Sequence, residues 1–398
     1  MKALRYSKAL TSAIIVAALN LVFLFTNPLK GIDPDCLPSS HSWIWWARTN
    51  FLSQLVPPRV VILGSSLMMN PVWENEADFL NKDVDIVAHR SVQYLDAAIE
   101  SRLGSCEPAT FNFALPGAML SDDYMVLRTI LLKRELKPDV IVLGLSPRDF
   151  VDNGFACAAS SEHYRYLSRF TDTKDLVELA MPHPWQRFTH YLHTFFYFEG
   201  KKADFQVALS TLLRNETSRL LGSPTLNKAP METRKAIYQT ELEKGLWLAH
   251  PRGADHYDLA EDKKLRKTLA NKEGFDNQRK WFEMTLELCK KENIRVLVVN
   301  MPLTATNINL FGSGIYHNCM ELMANTARKY DASFLDLQKA GGFDMADFTD
   351  MCHMDASGGR KALDLIAKAL ASERTLRQRL ERNAGVELAK TSTPESVE

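Results

Sequence analysis

Apolar runs of strand length alternate along the chain with stretches whose apolar residues recur at helical spacing. The strand-like runs are VVILG (60–64), FNFAL (111–115), VIVLGL (140–145), VLVVNM (296–301) and SFLDL (333–337). They are apolar nearly throughout rather than at alternate positions. That predicts strands covered on both faces, hence a mainly parallel sheet under helices. SDDYMVLRTILLKREL (121–136) predicts one covering helix, opened by Ser121-Asp122 and stopped by Pro138. GFDNQRKWFEMTLELCKKEN (274–293) and ASGGRKALDLIAKALASE (356–373) predict two more. VDIVAHR (84–90) fits either a further strand or the lead into a helix over 91–103. The expected fold class is α/β, a three-layer α/β/α sandwich with a mainly parallel sheet.

The rhythm breaks between 151 and 275, where aromatic, helix-compatible stretches and loops occur without a run of strand quality. These residues read as a mostly helical insertion in an α/β domain made of 55–150 and 276–375. Within the insertion, HPWQRFTHYLHTFFYFEG (183–200) suits covering a cleft, touching a membrane or packing against its own domain. Residues 383–398 lack aromatic and periodic apolar content and are expected to be a disordered tail. At the other end, ALTSAIIVAALNLVFLFT (9–26) carries no charge and follows Lys2, Arg5 and Lys8. That is the pattern of a segment entering a bilayer with its positive end inside, which would leave the rest of the chain extracytoplasmic, in a periplasm or at a cell surface. Residues 1–30 are therefore read as a membrane anchor or signal segment, with a cleaved signal peptide and a buried soluble helix as the alternatives. Trp43, Trp45 and Trp46 suit a membrane interface or a protein core equally.

Among the 398 residues, 48 Lys and Arg balance 48 Asp and Glu, and no long basic run occurs. Nothing would draw in nucleic acid, so it is not an expected partner. Cys36, Cys106, Cys157, Cys289, Cys319 and Cys352 form no C-x-x-C pair, which argues against a metal ribbon or thioredoxin-like site. In an oxidising compartment one or two disulfides are open, with pairing unassigned. His183, His190 and His193 are close in sequence, but no carboxylate or Cys cluster accompanies them, so no metal is assigned. No phosphate-binding G-x-x-x-x-G-K-[ST] occurs and no G-x-G-x-x-G follows a strand. No bound cofactor is implied.

In a parallel sheet the carboxyl ends of the strands open onto one edge, where loops present side chains and helix N-termini favour negative charge. Gly64-Ser65-Ser66 occupies that edge, as do Leu115-Pro116-Gly117, the stretch from Gly144 to Asp149 and Asn300-Met301-Pro302. A serine there becomes a nucleophile only if a base removes its proton. His353, in FTDMCHMDASGG between the last strand and the last helix, is the candidate base, with Asp350 three residues upstream to orient it.

In this constellation the chain resembles the SGNH, or GDSL-like, serine hydrolase superfamily. GSSL (64–67) stands where the family has its G-D-S-L block, Gly117 matches the glycine of the second block, and Asp350 and His353 match the final D-x-x-H. The resemblance spans roughly 55–155 and 276–372 and implies a three-layer SGNH fold. It implies Ser66 as nucleophile, His353 as base and then acid, Asp350 as its orienter, and the amides of Ser66 and Gly117 as oxyanion donors. Ser65 is the competing nucleophile, standing where the family has Asp. The third block departs from the pattern: the family's G-x-N-D is GLSPRDF here. Ser146 and Arg148 are therefore candidates for the missing donor, and Asn300 joins them as an oxyanion or substrate-binding candidate at the same edge. Arg148 would alternatively bind an anionic group of the substrate or pair with Asp149 or Asp152. The architecture is similar to membrane-anchored members that handle acyl groups on envelope polymers, such as teichoic-acid D-alanylation and alginate acetylation proteins. The resemblance implies an esterase, deacetylase or O-acyltransferase whose partners are an acylated polysaccharide or envelope polymer, the membrane and a membrane acyl-donor protein. The alternative is an inactive module of the same fold that binds glycan or scaffolds a membrane complex.

Overall fold

The computed structural model describes residues 8–30, 42–104, 107–151, 155–221, 239, 242–244, 248–249, 272–311 and 313–381. The tail at 383–398, Cys36, Cys106 and Asp152 lie outside them. Two compact units are present: Met1–His41 with Met181–Leu246, and Ser42–Ala180 with Trp247–Glu398. Residues 151–180, read from sequence as part of the insertion, thus belong to the α/β unit. The reason is packing: the helix Glu162–Leu167 lies against the helix that follows Gly117, and the Ser161 hydroxyl donates to Asp122 at 2.8 Å.

The α/β unit is built on a five-stranded sheet with every pairing parallel. Its strands are β1 (Val60–Gly64), β3 (Thr110–Asn112), β4 (Val140–Leu145), β6 (Arg295–Asn300) and β7 (Ser333–Asp336), in the order β3-β1-β4-β6-β7. β1 and β4 are buried at all positions, so both faces need cover. One group of helices packs together from Ser66–Leu80, Gln93–Leu103 and the C-terminal Ala356–Ser372; a second forms from Leu120–Thr129 and Lys272–Lys291. Each fully buried Val, Ile or Leu in these strands contributes about 1.5–3 kcal/mol.

The sequence-based element boundaries change in three places. The run 111–115 leaves regular pairing at Asn112, but the amides of Phe113 and Leu115 still donate to the carbonyls of Ile62 and Gly64, so it continues alongside β1. Residues 84–90 give only β2 (Val84–Asp85), paired antiparallel with β5 (Leu248–Ala249) outside the main sheet. Asp85 then turns the chain by accepting the amides of Val87 and Ala88. The helix expected over 121–136 spans Leu120–Thr129 and gives way to a tighter turn at Leu131–Lys133. Trp45 and Trp46 are buried on the helix Trp43–Leu52, so the core, not a membrane interface, accounts for them.

Two close approaches of backbone position the functional edge. A Cβ on Gly64 would lie 2.4 Å from the Gly144 carbonyl oxygen, and its φ of +139° is one that side chains resist. Only glycine lets β1 end there beside β4. A Cβ on Gly359 would lie 2.3 Å from the Pro71 carbonyl oxygen. Glycine thus lets the C-terminal helix touch the helix that starts at Ser66. Asp355 caps that C-terminal helix by accepting the Gly358 amide at 2.9 Å, immediately after His353 has left the loop.

The other unit holds helix Lys8–Thr26, which is long and apolar enough to cross a membrane and has Asn20 as its sole buried residue. It also holds the helices Pro184–Phe195, Tyr197–Gly200 and Lys202–Leu221.

Candidate active site

Ser65 and Ser66 follow β1 and do different work. Ser65 is the N-cap of the helix Ser66–Leu80: its Oγ accepts the Leu67 amide, and its carbonyl accepts the amides of Met68 and Met69. Its hydroxyl also bonds the buried Asp149 carboxyl. Ser66, the first helical residue, is half-buried. Its Oγ lies 2.9 Å from Nε2 of His353.

The loop carrying His353 owes its shape to Asp350. One carboxylate oxygen of Asp350 accepts the amides of Cys352 and His353, at 2.8 and 2.7 Å, folding the D-x-x-H segment into a tight turn. The other oxygen meets His353 Nδ1 at 2.5 Å. The loop is pinned from outside by the Thr304 hydroxyl, which donates to the Met351 carbonyl, and closed by the Thr349 amide, which donates to the His353 carbonyl. Burial alone would push the Asp350 carboxyl up. The hydrogen bond and charge of the His353 ring and the two loop amides outweigh it and bring the carboxyl down to about 2. An ionised carboxylate only accepts, so Nδ1 carries the imidazole proton and Nε2 is free to accept from Ser66.

Gly117 is exposed at the third position of a turn closed by the Ala118 amide on the Leu115 carbonyl, and its φ of +67° suits glycine. His163 braces this turn: Nε2 of the buried ring donates to the Pro116 carbonyl at 3.1 Å. Among the described residues the amides of Ser66 and Gly117 have no hydrogen-bond partner. The Ser66 amide sits at the positive end of a 15-residue helix.

The remaining candidates are held differently. The buried Ser146 accepts the Arg148 amide at its Oγ and donates its own amide to Asp149 at 2.6 Å, so it shapes the turn after β4. Arg148 is buried beside Asp149 and its charge lowers that carboxyl, consistent with a structural pairing. Asn300 is fully buried, and its Nδ2 donates to Asp336 at 2.7 Å and to the Tyr316 hydroxyl at 3.3 Å. The first bond ties β6 to β7 and the second ties β6 to the helix Ser313–Lys329, so the Asn300 amide is spent on its own neighbours rather than on Ser66.

Beneath the serines lies a group of buried carboxyls absent from the sequence reading. Burial, then repulsion from Asp122 and Asp149, hold the Asp123 carboxyl well above the ordinary range, although it accepts the Gly64 amide at 3.1 Å. Burial pushes Asp149 up to about 6 against the bonds from Ser65 and Ser146. No sequence signal marks Thr304, His163 or Asp123, because each reaches the site from a distant stretch of chain.

Asp350, Cys352 and His353 also have ligand-type atoms within 4.8 Å of one another. A cation there would have to displace the Nδ1 proton and break the Asp350–His353 bond, so the donor set fits a proton relay better than a metal. His183 caps its own helix by accepting the Trp185 amide at Nδ1. Cys157, Cys289, Cys319 and Cys352 are free thiols.

No family model matches the chain, and no curated protein matches it in sequence.

Proposed function

We propose that the chain is an SGNH-like serine ester hydrolase or O-acyltransferase that works through an acyl group carried on Ser66. The observation behind this reading is the continuous hydrogen-bonded path from Ser66 Oγ through both nitrogens of His353 to an Asp350 carboxylate. His353 takes the Ser66 proton as Oγ attacks the carbonyl carbon of an ester. The Ser66 and Gly117 amides then face the negative charge that develops on the carbonyl oxygen. His353 returns the proton to the departing alkoxide, and the acyl group stays on Ser66. In the second half, water or a sugar hydroxyl gives its proton to His353 and attacks the Ser66 ester; the bond from the acyl carbon to Oγ breaks, and His353 returns the proton to Ser66. Water completes hydrolysis; the hydroxyl completes transfer.

The substrate class proposed is an acylated polysaccharide or other envelope ester, with the catalytic unit held outside the cytoplasm by Lys8–Thr26. The length and apolarity of that helix support anchoring, and Lys2, Arg5 and Lys8 support the orientation. The test is labelling of the full chain with a fluorophosphonate, the adduct being located by peptide mass spectrometry. An adduct on Ser66 that Ser66→Ala and His353→Ala both abolish is the expected result. A folded protein that takes no label would replace this reading with that of a binding module.

A further inference from the structure

The unit made of Met1–His41 and Met181–Leu246 carries a helix turned inside out for water. On Pro184–Phe195, the residues Trp185, Phe188, Leu192 and Phe195 recur at helical spacing and are 66%, 52%, 40% and 50% exposed. Of the polar residues opposite, Gln186, Arg187 and His190 are less exposed than these apolar side chains, whereas His193 and Thr194 are exposed. Each large apolar side chain left in water forgoes about 1.5–3 kcal/mol of burial, so this face calls for an apolar neighbour.

The attachment of this helix identifies the neighbour. Asn20 is the one polar residue between Ser12 and Thr26 of the long apolar helix, and it is 6% exposed while the apolar residues around it are open. Its Nδ2 donates to the Phe195 carbonyl and its Oδ1 accepts the Tyr197 amide, both at 2.8 Å. Those two groups flank the break between the helices Pro184–Phe195 and Tyr197–Gly200, where the backbone has left its helical ladder. Asn20 precedes the end of its own helix by six residues, which corresponds to about 9 Å along the axis. Broken backbone at such a depth in hydrocarbon is tolerated only when its polar groups are satisfied by protein, and one amide side chain satisfies both. The Tyr197 hydroxyl continues toward the helix end, donating to Asn27 Oδ1 at 3.0 Å and accepting the Leu29 amide at 2.9 Å. Phe23 packs against Phe198 with ring centroids 4.9 Å apart. Lys201 and Lys202 follow at once, as suits a chain returning to the headgroup zone.

We infer that residues 184–200 form a re-entrant aromatic hairpin sunk in the outer leaflet of a lipid bilayer, with Asn20 clamping its tip. The inference rests on Lys8–Thr26 spanning that bilayer as proposed above. The occupant of the aromatic face is lipid acyl chain, because that face and the open surface of Lys8–Thr26 belong to one unit, and an apolar medium suits both. The clamp also gives the N-terminal helix a role that cleavage would abolish.

The test is photocrosslinking of the full chain in vesicles of phosphatidylcholine and phosphatidylglycerol, with p-benzoylphenylalanine installed singly at Phe188, Phe195, Val16 or Ile315. Val16 reports the spanning helix, and the exposed Ile315 of the α/β unit reports water. Lipid adducts at Phe188 and Phe195 comparable with those at Val16, and at least about tenfold above Ile315, are expected. Adducts at Val16 without adducts at Phe188 and Phe195 would overturn the hairpin and leave the anchor standing. No adduct at Val16 would overturn the anchor itself. In native membranes, crosslinks from Phe188 to another protein instead of lipid would assign the face to that protein and sink the lipid assignment. Asn20→Leu should lower the lipid yield at Phe195 severalfold while the yield at Val16 persists; an unchanged yield would remove Asn20 from the clamp.

Discussion

Ser65 and Ser66 are adjacent and chemically identical, yet their surroundings separate them. Ser65 spends its oxygen on the Leu67 amide and its proton on Asp149, whereas Ser66 faces His353 Nε2. Ser65→Ala should therefore cost about 1–2 kcal/mol of stability through the lost cap and buried bond, and leave fluorophosphonate labelling intact. Ser66→Ala should do the reverse, abolishing labelling at near-unchanged stability. Urea unfolding and labelling on the same samples decide the matter, and labelling lost in Ser65→Ala but kept in Ser66→Ala would exchange their roles. Asp350→Asn keeps the shape of the side chain but no longer fixes the proton on Nδ1. Its labelling rate should fall by about 10³- to 10⁴-fold, as expected when a triad acid loses its hold on the tautomer.

At the level of elements, the proposed catalytic edge depends on how closely two helices meet. Ser66 opens one helix and His353 stands three residues before the other, and Gly359 lies against Pro71 where they touch. In Gly359→Ala the new methyl meets backbone that has no rotamer to yield, so the helices must separate. A loss of about 2–4 kcal/mol and a slower labelling rate should accompany each other. Gly314→Ala, also in a helix but with open space around it, should be neutral or stabilise by about 0.5–1 kcal/mol, which separates the contact from helix propensity. The parts of this arrangement legible in the sequence were local ones. An unbroken apolar run into Gly-Ser-Ser marks the end of β1, and the three-residue spacing of Asp350 and His353 is what one carboxylate needs to turn the loop and reach the ring. The illegible parts depend on partners far along the chain. Nothing near Asn300 announces that Asp336 and Tyr316 will take its donors, and nothing near His163 announces Pro116. Residues 151–180 lack an apolar strand and so looked foreign to the sheet, although they cover the helix beside it.

For the molecule as a whole, formal charge balances, but three buried carboxyls, Asp122, Asp123 and Asp149, interact near the end of β1. Asp149 is the clearest case: burial raises it from 3.8 to about 6. Below pH 3.8 it is protonated folded or unfolded. Between 3.8 and about 6 the unfolded chain releases a proton that the folded chain retains, so stability falls as pH rises through that window. At about 1.4 kcal/mol per unit, the whole shift is worth about 3 kcal/mol at most. Asp350 has the opposite sign: its carboxyl is lowered to about 2, so the stability it contributes is present above about 4 and lost only in stronger acid. The catalysis proposed for Ser66 needs an ionised Asp350, and so requires the pH range in which Asp149 weakens the fold. Asp149→Asn should break this opposition. An amide still accepts the Ser146 N–H through its oxygen but carries no charge to desolvate. The urea midpoint of the full chain in detergent should therefore drop less between pH 4.5 and 7 in Asp149→Asn than in the parent. Parallel pH curves for the two would show that Asp149 ionises as readily in the folded state as in the unfolded chain, and that its burial beneath Ser66 imposes no such cost.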